Sequence, residues 1–166
     1  ASQSTTGTQQ VSPAASDYTW GLNEIGVPST WDQFDNQGDG VSVAVLDTGV
    51  DDSHPDITVS KWKDFNETDP YAEPRDYGSH GTHVSGTITG GDASDTHIGV
   101  APNATLYVGA VLTQGNENYG SFSQITNGIQ WAVENDADVV SMSLGGGDNV
   151  YYGYIEPIRN ARQAGT

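Results

Sequence analysis

Three short apolar runs constrain this chain more than anything else in it. They are Val41–Leu46, Ala104–Leu112 and Asp138–Leu144, each carrying valine and none showing the strict alternation of a strand with one wet face. Runs of that length and texture fit strands buried on both sides, the signature of a parallel sheet held between helices. Between the second and third, SFSQITNGIQWAVEND carries Phe122, Ile125, Ile129, Ala132 and Val133 at helical spacing, with Ser121 or Ser123 available as N-cap. Strand, helix and strand in that order make a βαβ unit. The expected fold class is therefore α/β, a three-layer arrangement built on a parallel sheet.

In such sheets the working residues collect at the carboxyl ends of strands, and Asp47, in VAVLDTGVDD, directly follows the first run. Its Asp-Thr-Gly context allows two readings. An aspartic protease shares one proton between two carboxylates, which needs a second such motif; the sequence holds none, and a dimer supplying one motif per chain belongs to an antiparallel architecture. The other reading pairs Asp47 with a histidine. Thirty-three residues on, YGSHGTHVSGTITG places His80 at the expected start of a helix that Ser79 is positioned to cap. Gly81, Thr82, Ser85, Gly86 and Thr87 make a poor helix by propensity, which is reasonable only if the helix passes very close to other backbone. A histidine there, facing the end of a strand that carries an aspartate, has the geometry in which a carboxylate fixes an imidazole tautomer and steadies its charge. A zinc site on His80 and His83 is disfavoured, because Gly81 and Thr82 stand where the metalloprotease pattern has its glutamate.

Four blocks, AVLDTGVDDSHPD, HGTHVSGT, GVAPNATLYVGAVL and VVSMSLGGG, come in the order and spacing of the subtilisin-like serine proteases, which the chain resembles from about residue 20 to 166. The resemblance implies that Asp47 is the acid and His80 the base of an Asp-His-Ser triad, with His83 packed behind them. It implies that Ser143, Leu144 and Gly145 pair as an extended segment with the substrate, and that Asn118, Tyr119 and Gly120 form the opposite edge of the cleft. Asp56, in SHPD, matches a calcium-ligating carboxylate of many members, completed by a loop like GGDASDTHIG. Calcium takes six to eight oxygens. Ala93 stands where the family supplies a side-chain amide, so Asp92 or Asp95 would have to substitute.

The family's oxyanion Asn and nucleophilic Ser both follow the block at Ser143–Gly147, and neither is among these 166 residues. A triad without its nucleophile forms no acyl-enzyme, so the chain alone is expected to be inactive. An incomplete sequence is the favoured explanation; a truncated homologue that binds peptides or proteins through the same cleft is the alternative. Within these bounds the expectation is a secreted, extracellular endopeptidase acting on polypeptides, with a propeptide allowed by the resemblance.

Composition narrows the class further. Twenty-two acidic against five basic side chains give a net charge of −17, which disfavours nucleic acid as a partner because phosphate binding relies on Lys and Arg. The acids are scattered, not gathered in a tail, and such an acidic surface suits a high-salt host of haloarchaeal type, where counter-ions screen self-repulsion. With no cysteine, disulfides and zinc–thiolate sites are excluded. No run approaches the roughly 18 apolar residues of a membrane span. Residues 1–17 are small, polar and aperiodic and read as a flexible tail, leaving 18–166 as the N-terminal part of a catalytic domain.

Overall fold

A computed structural model describes residues 17–66, 72–113, 119–145 and 152–166. Two short helices, α1 (Trp20–Glu24) and α2 (Val27–Phe34), precede strand β1 (Ser42–Asp47) and strand β2 (Val59–Asp64). Helix α3 (His80–Thr89), strand β3 (Thr105–Ala110), helix α4 (Phe122–Glu134), strand β4 (Val139–Ser141) and helix α5 (Ile155–Ala164) follow, with a single 3-10 turn at Tyr152–Tyr154 before the last.

The four strands form one parallel sheet in the order β2-β3-β1-β4. Every residue of β1 is buried, as its unbroken apolar texture requires of a central strand. On one face Val45, Leu106 and Val108 join Val50 and Ile57 beneath Val84 and Ile88 of α3. Leu46, on the other face, packs with Val111 and Leu112 against Ile125 and Ile129 of α4 and Ala161 of α5. Helices on both faces of the sheet give the three layers expected. At about 1.5–3 kcal/mol for each large apolar side chain removed from water, these contacts make β1 and β3 the anchor on which the loops at their ends are held.

Helix α4 begins where the sequence placed it. Ser121 Oγ accepts from Gln124 N–H while Gln124 Oε1 accepts from Ser121 N–H, a reciprocal capping box. The strand β2 is not visible as an apolar run because VSKWKD lies at the sheet edge, where Lys61 and Lys63 face water. The amphipathic stretch Leu22, Ile25, Val27, Trp31 is corrected in part. Leu22, Val27 and Trp31 cluster with Tyr18, but Gly26 adopts a left-handed φ of 76° and splits the segment into two helices, which leaves Ile25 68% exposed. Of the expected tail, only Asp17 falls within the described residues; its carbonyl accepts from His97 N–H. Among the described residues no helix is long and apolar enough to cross a membrane.

Candidate active site

The last residue of β1 is Asp47, fully buried, and the first of α3 is His80. His80 Nδ1 lies 2.9 Å from both Oδ1 and Oδ2 of Asp47, and Oδ1 also accepts from the Thr48 backbone N–H at 2.7 Å. The Asp47 carbonyl accepts from the N–H groups of Val111 and Leu112 just past β3, so the two central strands are pinned together at the level of the carboxylate. Because Nδ1 donates to the carboxylate, Nε2 keeps the lone pair and is the atom able to take a proton. The imidazole is half-exposed while its partner is wholly buried. The ring thus has a fixed tautomer and a negative charge behind it, an arrangement chemically able to serve as a general base.

Close backbone approach sets the pair. Gly49 has a φ of 112°, and a Cβ there would lie 2.0 Å from the Arg75 carbonyl oxygen; a Cβ on Gly81 would lie 2.1 Å from the Gly49 carbonyl oxygen. The start of α3 therefore rests directly on the loop after β1, which accounts for the small residues in a helix of poor propensity.

Ser79 does not cap α3 as its position suggested. It sits at φ 60° with no side-chain cap hydrogen bond. Asp76, which the sequence reading missed, does that work from three residues earlier: its Oδ2 accepts from Thr82 N–H at 2.7 Å and from the Thr82 hydroxyl, and its Oδ1 from Gly78 N–H at 2.9 Å and the Thr48 hydroxyl at 2.5 Å. Thr48 Oγ1 in turn accepts from Gly81 N–H at 2.9 Å. Burial pushes the Asp76 carboxyl upward, but these hydroxyl and N–H donors outweigh it and hold the group below the usual carboxylate range. An acid one turn before a His-Gly-Thr was the signal available.

His83 is exposed, not packed behind the pair. Ser85, Gly86 and Thr89 are the buried stripe of α3, so His83 falls on the outward stripe with Thr87, beside a depression lined by Asp51, Arg75, Asp76, Ser79 and Thr82.

The parallel register pairs Val45 with Ser141, so β1 and β4 run toward the same end of the sheet, the end at which Asp47 closes β1. Ser143, Leu144 and Gly145 continue past β4 as irregular chain, with Leu144 turned into the core and Ser143 and Gly145 exposed. Tyr119 is 74% exposed, and its carbonyl accepts from the N–H and hydroxyl of Thr113 just beyond β3, which places it and Gly120 at that end too. Asn118 lies outside the described residues.

Asp56 meets the 90–99 loop as expected, but through hydrogen bonds. Ser94 donates its N–H to Oδ1 at 3.1 Å and its hydroxyl to Oδ2, and Gly91 N–H donates to the Asp56 carbonyl at 2.8 Å. The Ser94 hydroxyl above all, helped by its N–H, holds the carboxyl of Asp56 below its ordinary value. Asp92 is paired with His97 at 3.5 Å, and Asp95 is exposed at a φ of 66°. Among the described residues no three His, Cys, Asp or Glu side chains converge on a metal position. Of the side chains named for calcium, Asp56 alone faces the loop, and both of its oxygens are taken by Ser94.

The sequence of residues 38–166 matches the family profile described as the subtilase family, peptidase S8. Among curated relatives, subtilisin E of Bacillus subtilis is 45% identical over 129 residues, 76% of this chain and 32% of that protein. The major intracellular serine protease of the same organism is 44% identical over 151 residues, 88% of this chain and 46% of that protein. An alkaline protease of Alkalihalobacillus alcalophilus is 39% identical over 136 residues, 82% of this chain and 34% of that protein. The chain thus spans 32–46% of the length of these relatives.

Proposed function

Because this chain belongs to the subtilase family, we propose that it supplies the acid and the base of a serine endopeptidase. The observation that carries the reading is the bond from His80 Nδ1 to the fully buried carboxylate of Asp47. Nε2 of His80 removes the proton from a serine hydroxyl as that oxygen attacks the scissile carbonyl, and returns it to the leaving amine; Asp47 holds the imidazole in register and balances its charge while it carries the proton. The nucleophile is a serine outside these residues, so the 166-residue chain by itself is inactive. Backbone at Ser143–Gly145 aligns the polypeptide substrate as an added strand, with Tyr119 and Gly120 on the other rim.

The enzyme is proposed to act outside the cell and in salt. Asp35, Asp39, Asp51, Asp52, Asp92, Asp95, Asp136 and Asp138 are all exposed, and a field of like charges is relieved by added electrolyte. A melting temperature that climbs steadily with sodium chloride between dilute and molar concentrations checks the second part; a flat response removes it.

The decisive experiment for the catalytic role is substitution in the full-length protein. His80→Ala is expected to lower kcat about 10⁶-fold and Asp47→Ala about 10⁴-fold, the scale known for the corresponding groups of subtilisin. Peptidase activity that survives either change, or a wild-type enzyme untouched by a serine-directed phosphonate, would remove the mechanism.

A further inference from the structure

We propose that Asp76 is a positioning residue for the His80 base, acting through the hydroxyl of Thr48. This rests on the triad reading above. The second and third N–H groups of a helix are the ones an N-cap side chain ordinarily satisfies. Ser79 offers nothing to them. In α3 they belong to Gly81 and Thr82, and they go to Thr48 Oγ1 and Asp76 Oδ2, both brought in from outside the helix.

The choice of partners matters more than the capping itself. Thr48 is the residue after Asp47, and its backbone N–H is bonded to Asp47 Oδ1. Its hydroxyl accepts from Gly81, the residue after His80, and donates to Asp76. One threonine therefore ties the neighbour of the acid to the neighbour of the base, and Asp76 orients its hydroxyl. Two more contacts keep this frame from shifting: Tyr77 N–H donates to the Thr48 carbonyl at 2.8 Å, and Asp51 N–H donates to the Thr82 hydroxyl at 2.9 Å. A capping device needs only a helix; this one spans β1, the 75–79 segment and α3 together.

Asp76 has the properties the role asks for. Both of its oxygens are engaged, four donors in all, so the side chain has one arrangement. Its lowered proton affinity keeps it an acceptor at neutral pH. A protonated acid in its place would donate where Thr48 must donate, and the hydroxyl would turn. The charged and titratable groups around it are Asp51, Arg75 and His83 across the outer depression. Arg75 also reaches Asp64 at 3.9 Å.

The test uses the full-length protease with Thr48→Val, Thr48→Ser and Asp76→Asn. Thr48→Val keeps the side chain's shape and deletes the tie; kcat is expected to fall between about 10- and 100-fold, the cost of a small misplacement of a catalytic group, with KM held within about twofold. The acid limb of the kcat/KM profile moves to lower pH, because an imidazolium less well aligned with Asp47 is less stable. Thr48→Ser restores the hydroxyl and returns kcat to within about threefold of wild type. Asp76→Asn acts in the same direction as Thr48→Val, and the two combined fall little below the worse single variant, because they interrupt one connection. If Asp76→Asn does not accumulate, the Thr48 pair decides alone. An unchanged kcat and pH profile in Thr48→Val, or a Thr48→Ser variant as impaired as Thr48→Val, overturns the proposal and makes Asp76 a structural cap only. Failure of the serine-protease reading itself would show separately, in a wild-type enzyme that the phosphonate does not label.

Discussion

Asp47 and Asp56 are both buried carboxylates that precede α3 in the chain, yet they bond to different kinds of partner. Asp47 accepts one backbone N–H and spends the rest of its capacity on an imidazole that can change its charge. Asp56 accepts a backbone N–H and a hydroxyl from a single serine, while the nearby His54 ring stays 3.9 Å from its carboxylate and takes the Asp56 backbone N–H instead. The first arrangement bonds a carboxylate directly to a titrating ring; the second bonds it to a serine and ties down a loop. Burial, residue type and a neighbouring histidine are alike, so it is the direct bond from ring to carboxylate that separates the two.

Exchanging each carboxylate for its amide gives the largest expected contrast. In the full-length enzyme Asp47→Asn should lower kcat about 10⁴-fold, since an amide favours the wrong imidazole tautomer, and should leave the melting temperature nearly unchanged. Asp56→Asn should leave kcat within about threefold and lower the melting temperature by roughly 5 °C, the effect of weakening a charge-assisted contact. Steady-state kinetics and calorimetry on both variants would break the comparison if the two effects fell on the same residue.

A smaller effect separates Asp56 by pH. The Ser94 donors favour its charged form, so the folded protein holds the Asp56 proton less readily than the unfolded chain does. The stabilisation is complete above the unfolded value near 4 and is lost as pH falls through the lowered folded value. Ser94→Ala should therefore be less stable than wild type by about 1–2 kcal/mol at pH 7, and the two should converge as the pH falls through the lowered folded value. Denaturant unfolding across that range measures it, and a difference that persists in acid would show that Ser94 acts by packing.

What the sequence made legible follows the same division. The pairing of Asp47 with His80 was readable because a strand end and a helix start leave strong local marks, valines on one side and a His-Gly-Thr on the other. β1, β3, β4 and α4 were readable for the same reason. The partners that complete each site were not, because they arrive from loops whose residues carry no periodicity. Ser79 looked like the cap, and only the fold shows that its left-handed backbone hands that work to Asp76 and Thr48. His83 looked interior until the buried stripe of α3 was fixed by Ser85, Gly86 and Thr89. β2 was hidden for a different reason: an edge strand with two lysines has no apolar run to see.

Ala93 is the place where family pattern and local chemistry part, and it yields the smallest expected effect. A calcium ion at Asp56 would gain no side-chain oxygen from Ala93, and Asp92 is drawn toward His97. The loop instead closes on Asp56 through Ser94 and Gly91, contacts that need no cation. Removing divalent ions with EDTA should then shift the melting temperature of wild type by less than about 2 °C, a change under about 1 kcal/mol. Restoring millimolar calcium should return nothing further. A loss well beyond that, recovered by calcium and not by magnesium, would mean that loop carbonyls complete the site despite Ala93, and Asp56 would join the metal-binding carboxylates in place of the purely structural ones.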